Sequence, residues 1–149
     1  MIGQSPLVKM VVAVFLGAAV GLERELAGQP AGIRTHSLVA LGSALFTIIA
    51  LAYSQPPTGP AVPGETVRLV AALVTGIGFL GAGTIVRSGG TVAGLTTAAS
   101  LWATAAIGLG AGGGFYLLAV AAVALVLLVL RGFSWLKTLL RPGLPRDEG

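Results

Sequence analysis

Long uncharged apolar runs, separated by short segments rich in glycine, proline or charge, dominate this chain. Each run approaches the roughly 20 residues that an α-helix needs to cross the hydrocarbon core of a bilayer. The pattern therefore predicts an all-α polytopic membrane protein with about five transmembrane helices. The predicted spans are Pro6–Leu22, Thr35–Tyr53, Thr66–Val86, Leu95–Ala111 and Phe115–Leu130. The alternative is four full spans, with the first or the fourth segment re-entrant or oblique.

Composition agrees with a membrane protein. Of the 149 residues, 55% are hydrophobic, and a soluble domain of this size cannot bury so much apolar surface. The absence of cysteine excludes a disulfide framework and a thiolate metal site. We divide the chain into a transmembrane domain, residues 1–131, and a short basic tail, residues 132–149. The tail is interpreted either as a helix lying among lipid headgroups or as a frayed stop-transfer segment.

The basic residues predict the orientation. With the tail in the cytoplasm and five spans, the N-terminus lies outside. Two of the nine basic residues, Lys9 and Arg68, then lie outside, and the others lie inside, in agreement with the positive-inside rule. Those on the inside are Arg24, Arg34, Arg87, Arg131, Lys137, Arg141 and Arg146. No aromatic platform or folded basic motif indicates nucleic-acid binding.

Charge is concentrated between the first two spans. Only 9% of the residues are charged, yet this segment holds Glu23, Arg24, Glu25, Arg34 and the single histidine, His36. The carboxylates fall at the C-terminal end of a helix, where the helix dipole disfavours them. We therefore predict an ion-pair network that includes Arg87, or a docking surface; the alternative is a set of solvated charges at the membrane interface.

The same carboxylates are the only candidates for a metal site. Magnesium prefers oxygen ligands, so Glu23 and Glu25 are weak candidate ligands and no cofactor is otherwise predicted. No carboxylate lies near the middle of a predicted span. A self-contained cation transporter would usually place one there, or build a filter of backbone carbonyls. His36 has no nucleophile and acid around it in the sequence, so we do not expect an enzyme.

Small residues recur at helical spacing in two spans. Gly76, Gly78, Gly81 and Gly83 match a dinucleotide-binding pattern literally, but they lie inside an apolar span and lack the preceding strand and the following amphipathic helix that such a site needs. They predict close helix packing or, alternatively, an unwound backbone. The first span repeats Ala13, Gly17 and Gly21, which predicts a tight helix contact, either within the chain or at the seam of a homodimer.

The fourth span is small and polar. Thr96, Ser100 and Thr104 recur every fourth residue and therefore share one helix face. This face, with Thr97 and Trp102 of the same span as further candidates, predicts a polar cavity lining or a contact between helices. The alternative is hydroxyl groups bonded to carbonyls of their own helix.

Four motifs, in order along the chain, carry a family resemblance. They are GLERE, PAGIRTHSLVALGSALF, GIGFLGAGTIVRSGG and GLTTAASLWATAAIGLGAG. Together they resemble the MgtC/SapB family of bacterial inner-membrane proteins, over about Val14 to Leu130. The motif residues that carry over are Glu23, Arg24, Gly32, Arg34, Thr35, His36, Gly78, Gly81, Gly83, Gly94, Thr96, Thr97 and Trp102.

The resemblance implies a multipass inner-membrane protein linked to growth in low magnesium and to survival inside macrophages. It also implies an action through membrane-protein partners such as the proton-translocating ATP synthase. The alternative is a transporter or channel for magnesium or another ion. Well-known members continue into a soluble C-terminal domain beyond the point where this sequence stops, so functions of that domain are not carried over.

Overall fold

A computed structural model describes residues 5–54 and 64–140, with side chains except at residues 65 and 133–140. Four of its helices are long and apolar enough to cross a membrane, and the fifth contains a shorter apolar stretch, Tyr116–Gly132. The predicted all-helical membrane fold is confirmed. The helices are α1 (Pro6–Leu26), α2 (Ile33–Ser54), α3 (Glu65–Thr84), α4 (Leu95–Gly112) and α5 (Tyr116–Leu140), and the strands are β1 (Val86–Ser88) and β2 (Thr91–Ala93).

Several boundaries differ from the prediction. Helix α1 continues past Leu22 to Leu26, and α5 continues past Leu130 to Leu140. The third span ends at Thr84 because Val86 already belongs to a β-hairpin, in which it pairs with Ala93. Gly89 and Gly90 form the turn with φ of 56° and 86°, a conformation that glycine adopts without steric cost. Residues 55–63, which include several prolines, and residues 141–149 lie outside the described residues.

Helices α1, α2 and α4 form the closely packed centre of the bundle. A β-carbon at Gly17 would lie 2.6 Å from the His36 carbonyl oxygen of α2. A β-carbon at Gly112 would lie 2.6 Å from the Ala44 carbonyl oxygen. Glycine at these positions therefore lets helix backbones touch, which is the usual way that membrane helices gain packing energy. The core between them consists of fully buried small side chains, namely Ala13, Ala40, Ala44 and Ala111.

The outer helices pack less completely. Helix α5 contributes Ala119 and Val123 to a second buried cluster with Val20 and Ile107. Helix α3 contacts α2 and α4, but most of its surface is exposed, and Phe79 is 81% exposed. In a bilayer this surface faces lipid or another protein.

The helix directions place the basic residues at opposite ends. Gly17 and Gly21 of α1 meet α2 in antiparallel order, whereas Gly108 and Gly112 of α4 meet α2 in parallel order. The α1–α2 turn, the β-hairpin and the region of α5 near Leu130 therefore share one end, which we call the basic end. It carries Arg24, Arg34, Arg87 and Arg131, while Lys9 approaches the α4–α5 turn at the opposite end. This grouping is the one the five-span topology requires; that the basic end faces the cytoplasm stays a prediction.

Candidate functional site

The turn between α1 and α2 fixes the position of the charged motif. Gly28 adopts a φ of +73°, and its N–H donates to the Glu25 carbonyl at 3.0 Å. The next N–H, from Gln29, donates to the Arg24 carbonyl at 2.9 Å. This pair of bonds is a Schellman motif, which ends a helix by satisfying its last carbonyls. The chain then turns back directly into α2.

Glu23 and Arg24 form a buried ion pair in the last turns of α1. Arg24 Nε donates to Glu23 Oε2 at 2.6 Å, and Arg24 Nη2 donates to Glu23 Oε1 at 3.0 Å. The two residues are only 6% and 5% exposed. Both carboxylate oxygens thus receive a charge-assisted hydrogen bond, which offsets the unfavourable position of Glu23 at a helix C-terminus.

The predicted partners of Glu23 were different. Arg34 and Arg87 are exposed, and neither forms an ion pair with any residue that the structure describes. The expected network is therefore a single pair between neighbouring residues. Adjacent helical residues usually point in different directions, which is why the spacing rules did not suggest this contact.

Glu25 differs from Glu23 in its contact. Its side chain is exposed, and Oε2 accepts a hydrogen bond from the Ile33 N–H at 2.9 Å. Ile33 is the first residue of α2, where free N–H groups and the helix dipole favour an anion. The carboxylate thus lies at the unfavourable end of α1 and at the favourable end of α2.

His36 connects α2 to α4 in the interior. It is 0% exposed, and its Nδ1 lies 3.0 Å from the Gly32 carbonyl oxygen. A carbonyl only accepts, so Nδ1 carries a hydrogen. On the other side of the ring, Nε2 lies 3.1 Å from Ser100 Oγ. In the neutral imidazole, Nε2 accepts the hydroxyl hydrogen of Ser100.

The buried hydroxyls of α4 are Thr97, Ser100 and Thr104, which are 1%, 3% and 0% exposed. The Thr104 hydroxyl donates to the Ser100 carbonyl at 2.8 Å, and Ser100 Oγ also lies 2.9 Å from the Thr97 carbonyl oxygen. Ser100 has one hydroxyl hydrogen, so His36 Nε2 and the Thr97 carbonyl oxygen compete for it. The buried face of α4 therefore combines a contact between helices with hydroxyl groups bonded to carbonyls of their own helix. Thr96 is exposed, unlike Thr97, Ser100 and Thr104, and Trp102 is 53% exposed.

Three polar residues that the sequence analysis did not single out adjoin these buried hydroxyls, namely Gln29, Ser43 and Thr47. Thr97 Oγ1 lies 3.4 Å from Gln29 Oε1 of the α1–α2 turn. On α2, the Thr47 hydroxyl donates to the Ser43 carbonyl at 2.7 Å, while Ser43 Oγ is buried with no hydrogen-bond partner among the described residues. We call His36, Ser43, Thr47, Thr97, Ser100 and Thr104 the polar row. Their helical spacing from His36 could have identified Ser43 and Thr47 as residues on the same face of α2.

The glycines of α3 remain helical. The helix continues to Thr84, so the unwound backbone is not observed. A β-carbon at Gly81 would lie 3.6 Å from Ala98 of α4, whereas β-carbons at Gly76, Gly78 and Gly83 would have nothing within 4 Å. Close packing within the described chain therefore involves Gly81 alone of the four.

The small-residue stripe of α1 is used inside the chain. Gly17 faces His36 and Ala40, Gly21 faces Gly32 and Ile33, and Ala13 is completely buried. Of the two predicted uses, the structure shows the intramolecular contact, and these buried residues offer no surface for a homodimer seam. That the chain forms a homo-oligomer stays a prediction. The analogous α4 stripe of Gly108 and Gly112 was missed, although its spacing is the same.

The carboxylates do not fit a resident magnesium site. In the part of the chain that the structure describes, no group of three or more histidine, cysteine, aspartate or glutamate side chains could hold a metal ion. Glu23 is occupied by Arg24, and Glu25 is bonded to the start of α2. Both candidate ligands therefore have structural partners already.

Comparison with known proteins identifies the family. Residues 10–139 match the MgtC family. The chain belongs to the MgtC family. No solved structure matches it.

Three relatives of this MgtC-family chain have curated names. It is 40% identical over 131 residues to "Putative magnesium transporter YhiD" of Escherichia coli K12, covering 87% of this chain and 61% of the relative. It is 37% identical over 131 residues to "Protein SapB" of Bacillus subtilis, with 87% and 56% covered. It is 44% identical over 121 residues to "Protein MgtC" of Salmonella typhimurium 14028s, with 81% and 49% covered. The matched region thus spans about half to three fifths of each relative.

Proposed function

We propose that this MgtC-family protein serves adaptation to low magnesium in the bacterial inner membrane without itself transporting magnesium or catalysing a reaction. It acts on membrane-protein partners, such as the proton-translocating ATP synthase that the family resemblance implies. The observation that carries the proposal is the closed centre of the bundle, where glycines bring the backbones of α1, α2 and α4 into contact.

The closed centre argues against an ion path between these three helices. A hydrated cation needs polar space along the whole span, but backbone contact at Gly17, Gly108 and Gly112 fills that space. The buried carboxylate of Glu23 is also neutralised by Arg24. A cation would therefore have to displace a guanidinium to reach it, which is unfavourable in a desolvated site.

The partner proposal is tested by reconstituting ATP synthase into liposomes with and without this protein. ATP-driven acidification of the lumen is followed with a pH-sensitive dye, and passive proton leak is measured after ATP is exhausted. We expect reduced acidification when this protein is present, with an unchanged leak. Equal acidification at all protein ratios would refute an action on this enzyme.

A second candidate function is magnesium transport. It is favoured by the polar row, because hydroxyl and imidazole groups between α2 and α4 could line a path if these helices separated. One relative also carries the words magnesium transporter in its name. Flux measurements with polar-row variants distinguish this candidate from the first.

A further inference from the structure

A groove runs between α4 and α5 near the basic end of the bundle. At the other end the two helices are close, since a β-carbon at Gly110 would lie 3.6 Å from Ala119 Cβ. Nearer the basic end, an open groove of about 490 Å³ lies between them. The groove is lined by Leu95, Thr96, Ala99, Ser100, Ala103, Leu125, Val126, Val129 and Leu130.

The lining is apolar except for hydroxyl groups on α4. Ser100 Oγ already has partners in His36 and Thr97. The Thr96 hydroxyl is exposed and has no hydrogen-bond partner among the described residues. This hydroxyl therefore offers a free hydrogen-bond donor and acceptor at the end of an otherwise apolar groove.

Positive charge surrounds this end without an equal negative charge. Arg131 follows Leu130 of the groove lining directly, is exposed, and forms no ion pair with the described residues. Arg34 and Arg87 are exposed at the same end and are also unpaired there. Glu25 is an exposed carboxylate at the same end, and it already accepts a hydrogen bond from the Ile33 N–H. The end thus complements an anion.

We propose that this groove binds an anionic phospholipid, with one acyl chain between α4 and α5 and the phosphate at Thr96 and Arg131. An amphiphile with an apolar chain and an anionic head matches both the lining and the charge, as in other basic pockets between membrane helices. An apolar partner helix would match the lining but not the unpaired positive charge at this end.

Native mass spectrometry of the detergent-purified chain tests the proposal. The protein is titrated with phosphatidylglycerol and, separately, with phosphatidylcholine of the same acyl chains. We expect retained phosphatidylglycerol and little phosphatidylcholine. Ala99→Leu, which fills the groove, should abolish retention. Ala106→Leu, the same change at an exposed α4 position outside the lining, should bind like the wild type.

The charge is tested separately. Arg131→Gln should weaken phosphatidylglycerol binding about fivefold, the effect of one basic residue near an anionic surface. Arg34→Gln removes the same charge from α2, whose residues do not line the groove, and should weaken binding less than Arg131→Gln does. If circular dichroism shows that Ala99→Leu lowers the helix content, the comparison of Arg131→Gln with Arg34→Gln tests the proposal in its place.

Four results would overturn the proposal. One is equal retention of the two lipids. Another is full phosphatidylglycerol binding by both single variants, the folded Ala99→Leu and Arg131→Gln. The third is a dimer mass that replaces the lipid-bound monomer and disappears in Ala99→Leu, since the groove would then be a protein interface. Inorganic phosphate should not displace the lipid; displacement would indicate an anion site that does not use the groove.

Discussion

The buried Glu23–Arg24 pair makes a strong prediction about stability. In Glu23→Leu, the Arg24 guanidinium, 5% exposed, loses the acceptor of both hydrogen bonds. Breaking a buried pair from one side costs about 3–5 kcal/mol. Removing a carboxylate from a helix C-terminus also removes an unfavourable interaction with the helix dipole, which stabilises the protein by about 0.3–1 kcal/mol. We therefore expect the free energy of unfolding to fall by about 2–5 kcal/mol.

A double-mutant cycle isolates the pair. Glu23→Leu, Arg24→Met and the double variant are unfolded reversibly with sodium dodecyl sulfate in mixed micelles and followed by circular dichroism. The double variant should lose much less than the sum of the single losses, with a coupling of about 1–3 kcal/mol. The matched control combines Glu23→Leu with Arg34→Met, and here the losses should add. Additive losses in the first cycle, or coupling only in the second, would refute the assigned pairing.

Two further predictions use the same unfolding assay. Gly17→Ala should destabilise the protein by about 1–3 kcal/mol through overpacking, because its β-carbon would lie 2.6 Å from the His36 carbonyl oxygen. Gly78→Ala, where nothing lies within 4 Å, should be neutral or stabilising by up to about 1 kcal/mol; equal losses in both would contradict the packing. Ser100→Ala should cost about 1–3 kcal/mol by removing the partner of His36 Nε2. Thr96→Ala should change stability by less than about 0.5 kcal/mol, and the reverse order would show that the polar row is not structural.

The number of helices followed from the sequence because apolar length is a direct requirement of the bilayer. Their ends were less predictable. Leu22 was chosen as the end of α1 because the charges begin there, but a buried ion pair lets Glu23 and Arg24 stay helical. The hairpin was missed because Val86 and Val92 are apolar and three-residue strands are too short to show alternation.

The candidate site was predicted as a segment, and its contacts were not. The concentration of charge identified Glu23, Arg24, Glu25 and His36, yet their partners depend on three-dimensional placement. Glu25 bonds to Ile33 eight positions later because the Schellman turn brings the start of α2 back to α1. His36 meets Ser100 because α2 and α4 run parallel, a relation that periodicity within one helix cannot reveal.

Magnesium flux in proteoliposomes tests the central claim most directly. The purified chain is reconstituted around a trapped magnesium-sensitive dye, magnesium is added outside, and uptake is compared with protein-free liposomes. Thr104→Val, which keeps the shape of a fully buried polar-row residue, is measured in parallel. We predict uptake equal to that of protein-free liposomes for both proteins. Saturable magnesium uptake by the wild type that Thr104→Val reduces would contradict the account and establish transport through the polar row.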